Sequence, residues 1–173
     1  MWPDRARLLT CALAALCLSA AYAQSKPEAD KTSNTDSVSA LERDFFSALR
    51  TGDSKKILSY IPERGLSVGA NAHPTRDEIE EQFLGHRGLY CKLFDSSCIG
   101  AAINLDNSRR PCSYRELLTH SETVHTAASR MTRSGVQQAV LVARIQNSQC
   151  PNDKLIDFIF NLQAEGWKLF SMP

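Results

Sequence analysis

Apolar and polar side chains alternate along residues 156–172, a pattern typical of β-strands with one buried face. The pair Glu165-Gly166 interrupts this alternation and predicts a hairpin with a two-residue loop. Because a slip of one residue would move every apolar side chain to the other face, the pattern also predicts a register. In that register three pairs face one another: Ala164 and Trp167, Leu162 and Leu169, and Phe160 and Ser171.

Two more strands are predicted before this hairpin. Residues 123–132 form an extended run of small side chains, and residues 136–146 alternate again. The intervening Arg133-Ser134-Gly135 is typical of a turn. One face of the second strand would be apolar and would carry Ala139, Leu141, Ala143 and Ile145.

Helical spacing replaces this alternation in the N-terminal half. Ser39 and Glu42 have the spacing of a capping box and predict the start of a first helix. Its apolar residues recur at steps of three and four, and Gly52 is the predicted stop. Asp53 then begins a short second helix, which Pro62 breaks.

The middle of the chain is less regular. Thr75 and Glu78 form a second capping box and predict a third helix. Residues 85–94 fit either a continued helix or a strand, and their two glycines favour a helix end followed by an extended segment. Residues 95–112 are bracketed by cysteines and are interpreted as an insertion, after which residues 113–120 predict one or two helical turns.

The N-terminus has the three parts of a secretory signal peptide. Arg5 and Arg7 precede a short apolar run, and the small residues around Ala23 fit a cleavage site. We therefore expect residues 1–23 to be removed and the protein to be exported to the periplasm or the extracellular space. Residues 24–37 have no large apolar side chain and predict a flexible tether, which leaves residues 38–173 as one domain.

Charge and hydrophobicity exclude two classes of partner. Without the signal peptide, basic and acidic residues are equal in number, so no electrostatic footprint for nucleic acid or an anionic membrane is predicted. Past the signal peptide, no apolar stretch reaches the roughly 18 residues that a membrane span needs. The sequence therefore predicts no membrane span.

Four cysteines remain after the signal peptide, and an even number in an exported chain indicates two disulfides. Three pairings are possible. We favour Cys91 with Cys98, which a short loop separates, and Cys112 with Cys150, which would tie the insertion to a hairpin tip. The sequence lacks the Cys-x-x-Cys spacing of a zinc site.

The order of these elements resembles the nuclear transport factor two-like superfamily, a cone-shaped α+β fold shared with SnoaL-like and ketosteroid-isomerase-like proteins. Residues 38–173 carry the resemblance in "FFSALRTGD", "GLSV" and the closing "FNLQAEGWKLFSM". It implies a curved antiparallel β-sheet wrapped around N-terminal helices, with a pocket between them, and often a homodimer. Members include isomerases, dehydratases, hydrolases and non-catalytic binding domains, so the fold does not specify the function.

The resemblance directs attention to groups that could transfer a proton in such a pocket. The candidates are His86, His125 and Asp157, with Tyr90 as a hydrogen-bond donor on the helical face of His86. We favour a simpler interpretation for each. His86 and Tyr90 would lie at a helix end with their polar atoms in contact with solvent. His125 would be a surface or structural histidine. Asp157 would lie on the solvated side of the sheet.

Other chemistry has no signal in the sequence. His73 and His120 stand alone in predicted loops, and the chain has no His-x-x-x-His, no Gly-x-Ser-x-Gly and no phosphate-binding glycine loop. We therefore predict neither a metal nor a cofactor.

Two functional hypotheses follow, and a third remains open. The first is an exported, non-catalytic module that binds a small apolar ligand or an envelope protein, with a homodimer as a possible state. The second is a small isomerase, dehydratase or hydrolase with His86 or His125 as base in an apolar pocket. Phe158, Phe160 and Trp167 are most simply core residues, and they would line such a pocket if the helices left a gap. The third is an inhibitor of a partner in the cell envelope.

Overall fold

A computed structural model describes residues 31–99, 111–146, 150 and 155–173. The compact unit that contains the β-sheet begins at Thr35. The predicted signal peptide, the first part of the tether and the centre of the predicted insertion lie outside the described residues.

The five described α-helices all precede the last four described strands in the sequence. The α-helices are α1 (Lys31–Thr51), α2 (Ser54–Tyr60), α3 (Arg76–Leu84), α4 (Leu89–Phe94) and α5 (Tyr114–His120), and a 3-10 turn spans Ser96–Cys98. The strands are β1 (Ser67–Val68), β2 (Thr123–Arg133), β3 (Val136–Gln146), β4 (Leu155–Gln163) and β5 (Gly166–Met172).

Helix α1 begins earlier than predicted. It starts at Lys31, so Ser39 lies inside the helix instead of capping it, and residues 31–37 of the predicted tether are helical. Once the buried part of a helix has formed, each further residue gains one hydrogen bond, and the entropy cost is that of fixing its own backbone alone. A polar segment can therefore extend the helix. The predicted end is confirmed, since Gly52 follows Thr51 with φ +74°.

The predicted starts of α2 and α3 are also confirmed. Asp53 caps α2 by accepting a hydrogen bond from the Lys56 N–H at 2.9 Å. At α3, the Thr75 side chain and the Glu78 side chain form both halves of the capping box. The capping box of Ser113 and Glu116 at α5 was not predicted from the sequence.

Residues 89–94 are helical, and the predicted extended segment is wrong. Gly88 adopts φ +54°, which turns the chain sharply after α3 and lets a new helix begin at once. Leu89 and Leu93 then lie four residues apart on the buried side of α4. The alternation in the sequence was coincidental, because the same residues also have helical spacing.

The five strands form one sheet in the order β1-β5-β4-β3-β2. Strand β1 runs parallel to β5, and the other neighbours are antiparallel. The predicted strands at 123–132 and 136–146 are confirmed, as is the apolar face of the latter. Its members are all buried: Ala139, Leu141, Ala143 and Ile145.

The β4–β5 hairpin has a different register from the predicted one. Its two-residue loop is Ala164-Glu165, Leu162 pairs with Trp167, and Phe160 pairs with Leu169. A shift of two residues keeps every side chain on its face, so the apolar pattern could not exclude it. Strand β5 also has a bulge, at which Phe170 is the extra residue. The bulge places Met172 on the buried face, where Ser171 was predicted.

The core is a cluster of aromatic rings between α1, α2 and the sheet. The Phe45 ring of α1 lies edge-on to Phe158 and Phe160 of β4, with centroid distances of 4.8 Å and 5.0 Å. Tyr60 of α2 lies 5.6 Å from Phe45 and 5.7 Å from Phe160. The sheet therefore wraps around α1 and α2, which confirms the predicted α+β class.

The other face of the sheet is less uniformly solvated than predicted. Asp157 is exposed there, but Asn161 is buried. The Gln138 Nε2 on β3 donates a hydrogen bond to the Asn161 Oδ1 at 2.9 Å, and the two residues are cross-strand partners. Their mutual hydrogen bond explains why two amide side chains tolerate burial.

The cysteines are paired as the sequence favoured. Cys91 of α4 is bonded to Cys98, seven residues later, and Cys112 before α5 is bonded to Cys150, 38 residues later. The first bridge closes a short local loop, whereas the second connects the start of α5 to the chain between β3 and β4.

The ring cluster should dominate stability. We expect Phe158→Ala to lower the free energy of unfolding by about 3–5 kcal/mol, because it removes a fully buried ring. Phe170→Ala is the matched control, since its ring is 40% exposed and should cost about 1 kcal/mol or less. Urea unfolding followed by circular dichroism measures both, and similar losses would contradict this packing.

The two disulfides should contribute unequally. Replacing Cys112 and Cys150 by alanine should cost about 4 kcal/mol, and replacing Cys91 and Cys98 about 2 kcal/mol, since the longer loop restrains the unfolded chain more. Thermal and urea unfolding of the two double variants would test the order. A larger loss for the Cys91/Cys98 variant would show that loop length does not determine the effect.

Candidate functional site

An open groove of about 710 Å³ lies between the loop after β1, helix α3 and helix α4. We call it the α3–α4 groove. Its lining combines apolar, amide and charged side chains: Val68, Ala72, His73, Pro74, Glu78, Glu81, Gln82, Arg87, Gly88, Leu89 and Lys92.

Backbone contacts hold the loop wall of the groove. The Val68 N–H donates to the Ala72 carbonyl at 2.8 Å, and the Leu66 N–H donates to the Pro74 carbonyl at 3.2 Å. Gly65 allows this close approach, because a Cβ at that position would lie 1.9 Å from the Pro74 oxygen. The wall is therefore set by chain geometry and does not depend on a particular lining side chain.

The junction of α3 and α4 forms the opposite side of the groove. The Gln82 Oε1 accepts a hydrogen bond from the Leu89 N–H at 2.7 Å and so satisfies the first turn of α4. A Cβ at Gly88 would lie 2.4 Å from this same oxygen. Gly88 is therefore required both by its positive φ and by the amide packed against it.

Charges of both signs surround the groove. Arg87 and Glu81 form an exposed ion pair at 3.4 Å. Hydrogen bonds from the backbone and side chain of Thr75 lower the pKa of Glu78, which stays ionised at neutral pH. The rim thus presents fixed positive and negative groups side by side.

Lys92 connects the groove to the last described residue. Its ammonium donates to the Pro173 carbonyl oxygen, which the Tyr114 hydroxyl also approaches as a donor at 3.2 Å. The Lys92 nitrogen lies 5.8 Å from the centre of the Tyr114 ring. Burial lowers the pKa of Lys92, while burial and then the charge of Asp157 raise the pKa of Tyr114.

The candidate proton-transfer residues are only partly brought together. The His86 ring stacks on the Tyr90 ring at 4.3 Å with an interplanar angle of 11°. His86 is exposed, and neither ring is among the residues that line the groove. His125 is an exposed residue of β2 whose cross-strand partner is Arg144, and Asp157 is exposed on β4.

The two remaining histidines differ from each other. His73 lines the α3–α4 groove, in the loop where it was predicted. His120 is the last residue of α5, which confirms the helical turns predicted for residues 113–120 and not the loop position given to this histidine. Among the described residues, no group of three or more His, Cys, Asp or Glu side chains could hold a metal ion.

A second open groove of about 630 Å³ lies where the end of α2 meets α3 and the β4–β5 hairpin. Arg76 donates to the Ile61 carbonyl oxygen and to Glu80, both at 2.7 Å. Because the bond to Ile61 joins α3 to the end of α2, we interpret Arg76 as structural.

Sequence reasoning missed most of the α3–α4 groove. Gln82 and Lys92 are ordinary polar residues on the short helices α3 and α4, and Arg87 lies in the connection between them. They come together at the groove because the chain turns at Gly88. The available signal in the sequence was the pair Gly85 and Gly88. These glycines indicated that the helix ends there, but not the direction that the chain takes afterwards. No described helix is long and apolar enough to cross a bilayer.

Comparisons with known proteins found a similarity among solved structures. No family model matches the chain, and no curated protein matches it. Among solved structures, the chain is similar to a "putative dehydratase from the NTF2-like family" of Streptomyces avermitilis. The identity is 14%, the TM-score is 0.38, and the match covers 80% of this chain and 94% of that chain.

The buried phenols should limit stability at alkaline pH. Burial is the main cause that raises the pKa of Tyr60 and Tyr114 above the usual 10.0, so the folded protein keeps protons that the unfolded chain releases. The contribution of these protonated phenols to the free energy of unfolding is complete below pH 10.0. It is lost as the pH rises toward the folded-state pKa values. Because burial lowers the pKa of Lys92 in the folded protein, this lysine makes the free energy of unfolding rise with pH and so opposes the effect of the phenols.

Tyr114→Phe should isolate one part of this effect. We expect the loss of unfolding free energy between about pH 9 and 11 to become shallower, by up to about 1.4 kcal/mol per pH unit. Urea unfolding at several pH values measures the slope in the wild type and the variant. An unchanged slope would show that Tyr114 ionises as readily in the folded protein as in the unfolded chain.

Proposed function

We propose that this protein is an exported, non-catalytic binding module that contacts a protein partner through the α3–α4 groove. The observation that carries the proposal is the packing of the interior. Phe45, Phe158 and Phe160 are fully buried, and the Phe45 ring lies edge-on to the other two where an enzyme of this architecture would need a cavity. A substrate would have to displace this cluster, at a cost comparable to deleting a buried ring.

The positions of the ionisable groups support a role without catalysis. A general base must lie within hydrogen-bond reach of a bound substrate, and a tuned pKa usually needs burial. His86 is exposed and stacked on Tyr90, and His125 is exposed on the edge strand. Neither histidine faces the aromatic interior.

Two features support export. The basic, apolar and small-residue order of residues 1–23 is that of a secretory signal peptide. The two disulfides within one domain are those expected of a chain that folds in an oxidising compartment.

The composition of the groove indicates the chemistry of its partner. Its rim carries His73, Arg87 and Lys92 together with Glu78 and Glu81. Such alternating charge suits a polypeptide segment with both acidic and basic side chains better than an apolar small molecule, because charge complementarity suppresses unmatched partners. An envelope protein that presents such a segment is therefore the proposed partner.

An amide-resolved NMR titration of the exported protein would test the proposal. The first probe is a pool of short peptides that carry one acidic and one basic residue, and the second is cyclohexanone, an apolar carbonyl compound. We expect the peptides to shift the amides of Gln82, Arg87 and Leu89, and cyclohexanone to leave Phe45 and Phe158 unchanged.

Charge reversal at the groove rim supplies the control. Arg87→Glu should reduce the peptide-induced shifts, whereas Arg64→Glu, in the second groove, should leave them unchanged. Saturable shifts of Phe158 with cyclohexanone, together with isomerase, dehydratase or hydrolase turnover that His86→Ala or His125→Ala abolishes, would favour the enzyme hypothesis instead.

A further inference from the structure

The charges that line the α3–α4 groove are unevenly paired. Glu81 and Arg87 form an ion pair with each other at 3.4 Å. Glu78 accepts hydrogen bonds from the Thr75 N–H and hydroxyl, at 2.7 Å and 3.0 Å, within the capping box of α3. Lys92 forms no ion pair with any described residue. The described chain therefore leaves this positive group of the groove without an opposite charge.

Two contacts position the Lys92 ammonium without using all of its donors. The nitrogen donates one hydrogen bond to the Pro173 carbonyl oxygen and lies 5.8 Å from the centre of the Tyr114 ring. The Tyr114 hydroxyl donates to the same oxygen at 3.2 Å and so helps to hold this carbonyl in place. An ammonium has three N–H donors, so two remain for a further acceptor. Lys92 is thus fixed at the groove with donors to spare.

Burial makes an opposite charge favourable at this position. Lys92 is half-buried, and the cost of removing its ammonium from water lowers its pKa. A carboxylate at hydrogen-bond distance would favour the charged form and offset that cost. A fully exposed lysine would gain much less from the same contact, because water already solvates it.

The neighbouring acidic groups indicate which kind of anion fits. Glu78 and Glu81 line the same groove as Lys92, and the hydrogen bonds from Thr75 keep Glu78 ionised at neutral pH. A doubly charged phosphate would be repelled by both, since like charges placed side by side are unfavourable. A carboxylate carries a single charge, and a polypeptide supplies it on its aspartate or glutamate side chains.

We infer that Lys92 anchors a carboxylate subsite in the α3–α4 groove, which takes an aspartate or glutamate side chain of the bound polypeptide. The inference rests on the proposed function for the identity of this ligand, because it assigns the acidic residue of the partner to one contact. The subsite itself requires only a carboxylate within reach of the Lys92 nitrogen.

Matched acidic and amide probes test the subsite. The peptide pool with one acidic and one basic residue is compared with a pool in which glutamine replaces the acidic residue. Propionate and propionamide, small counterparts of the two side chains, are titrated separately at matched ionic strength, up to about 100 mM because a single charge contact binds weakly. We expect the acidic peptides to bind about tenfold more tightly than the amide peptides. Propionate, and not propionamide, should shift the amide signals of Leu89 and Lys92.

Two lysine variants locate the contact. Lys92→Gln should remove the preference for the acid in both titrations. Lys168→Gln is the matched control and should keep it, because Lys168 also donates to a backbone carbonyl, that of Ser59 at 3.0 Å, but lines the second groove. Circular dichroism confirms that each variant keeps its fold. The side-chain NMR signal of Lys92 in the wild type gives a readout that needs no variant, since propionate should shift it and propionamide should not.

The outcomes separate the subsite from the proposed function. A preference for the acid that depends on Lys92 would support the subsite. If that preference is seen with propionate while no peptide binds, the proposed function fails and the subsite stands. Peptide binding without any preference for the acid would overturn the subsite and leave the proposed function intact. A preference that persists in Lys92→Gln would also overturn the subsite, and a lack of binding by every probe would overturn both.

Discussion

The contact between the Phe45 ring and the rings of Phe158 and Phe160 is the interaction on which the rest of the fold depends. It joins the first helix to a central strand of the sheet, with more than 100 residues of chain between them. Tyr60 extends the cluster to α2, and Tyr114 extends it to α5 through Phe158 at 5.6 Å. Edge-to-face rings supply both burial and orientation, so one cluster positions three helices on the sheet.

The same packing fills the interior. The space between the sheet and the N-terminal helices holds the rings of Phe45, Phe158 and Phe160. The α3–α4 groove is lined by other residues, and its shape depends on backbone features: the close approach at Gly65 and the turn at Gly88. In the proposed function, such a groove would keep its shape while its lining side chains vary, which would suit recognition of a polypeptide.

The parts of the fold predicted from the sequence are those that depend on neighbouring residues. Capping by Asp53 and Thr75 involves residues three apart, so the chain itself brings the partners together. The buried face of β3 follows from the alternation of side chains along an extended chain. The favoured disulfides followed from spacing in one case and from the predicted hairpin tip in the other.

The predictions that were wrong depended on distant packing. The capping box at Ser39 was overridden by continuation of α1, and the alternating residues of α4 became helical because Leu89 and Leu93 pack inward. The β4–β5 hairpin differs from the prediction by a two-residue shift, which keeps each side chain on its face, and by the bulge at Phe170, and alternation reveals neither. The groove, likewise, assembles residues from a loop and two helices that share no motif.

The sequence by itself determined the kind of most elements and the buried face of β3, because periodicity and capping act over a few residues. Only the tertiary structure decided that rings fill the interior and that Gln82 and Lys92 border one groove. Those features depend on which distant surfaces meet, and burial of the aromatic cluster selects that arrangement from many compatible with the same local pattern.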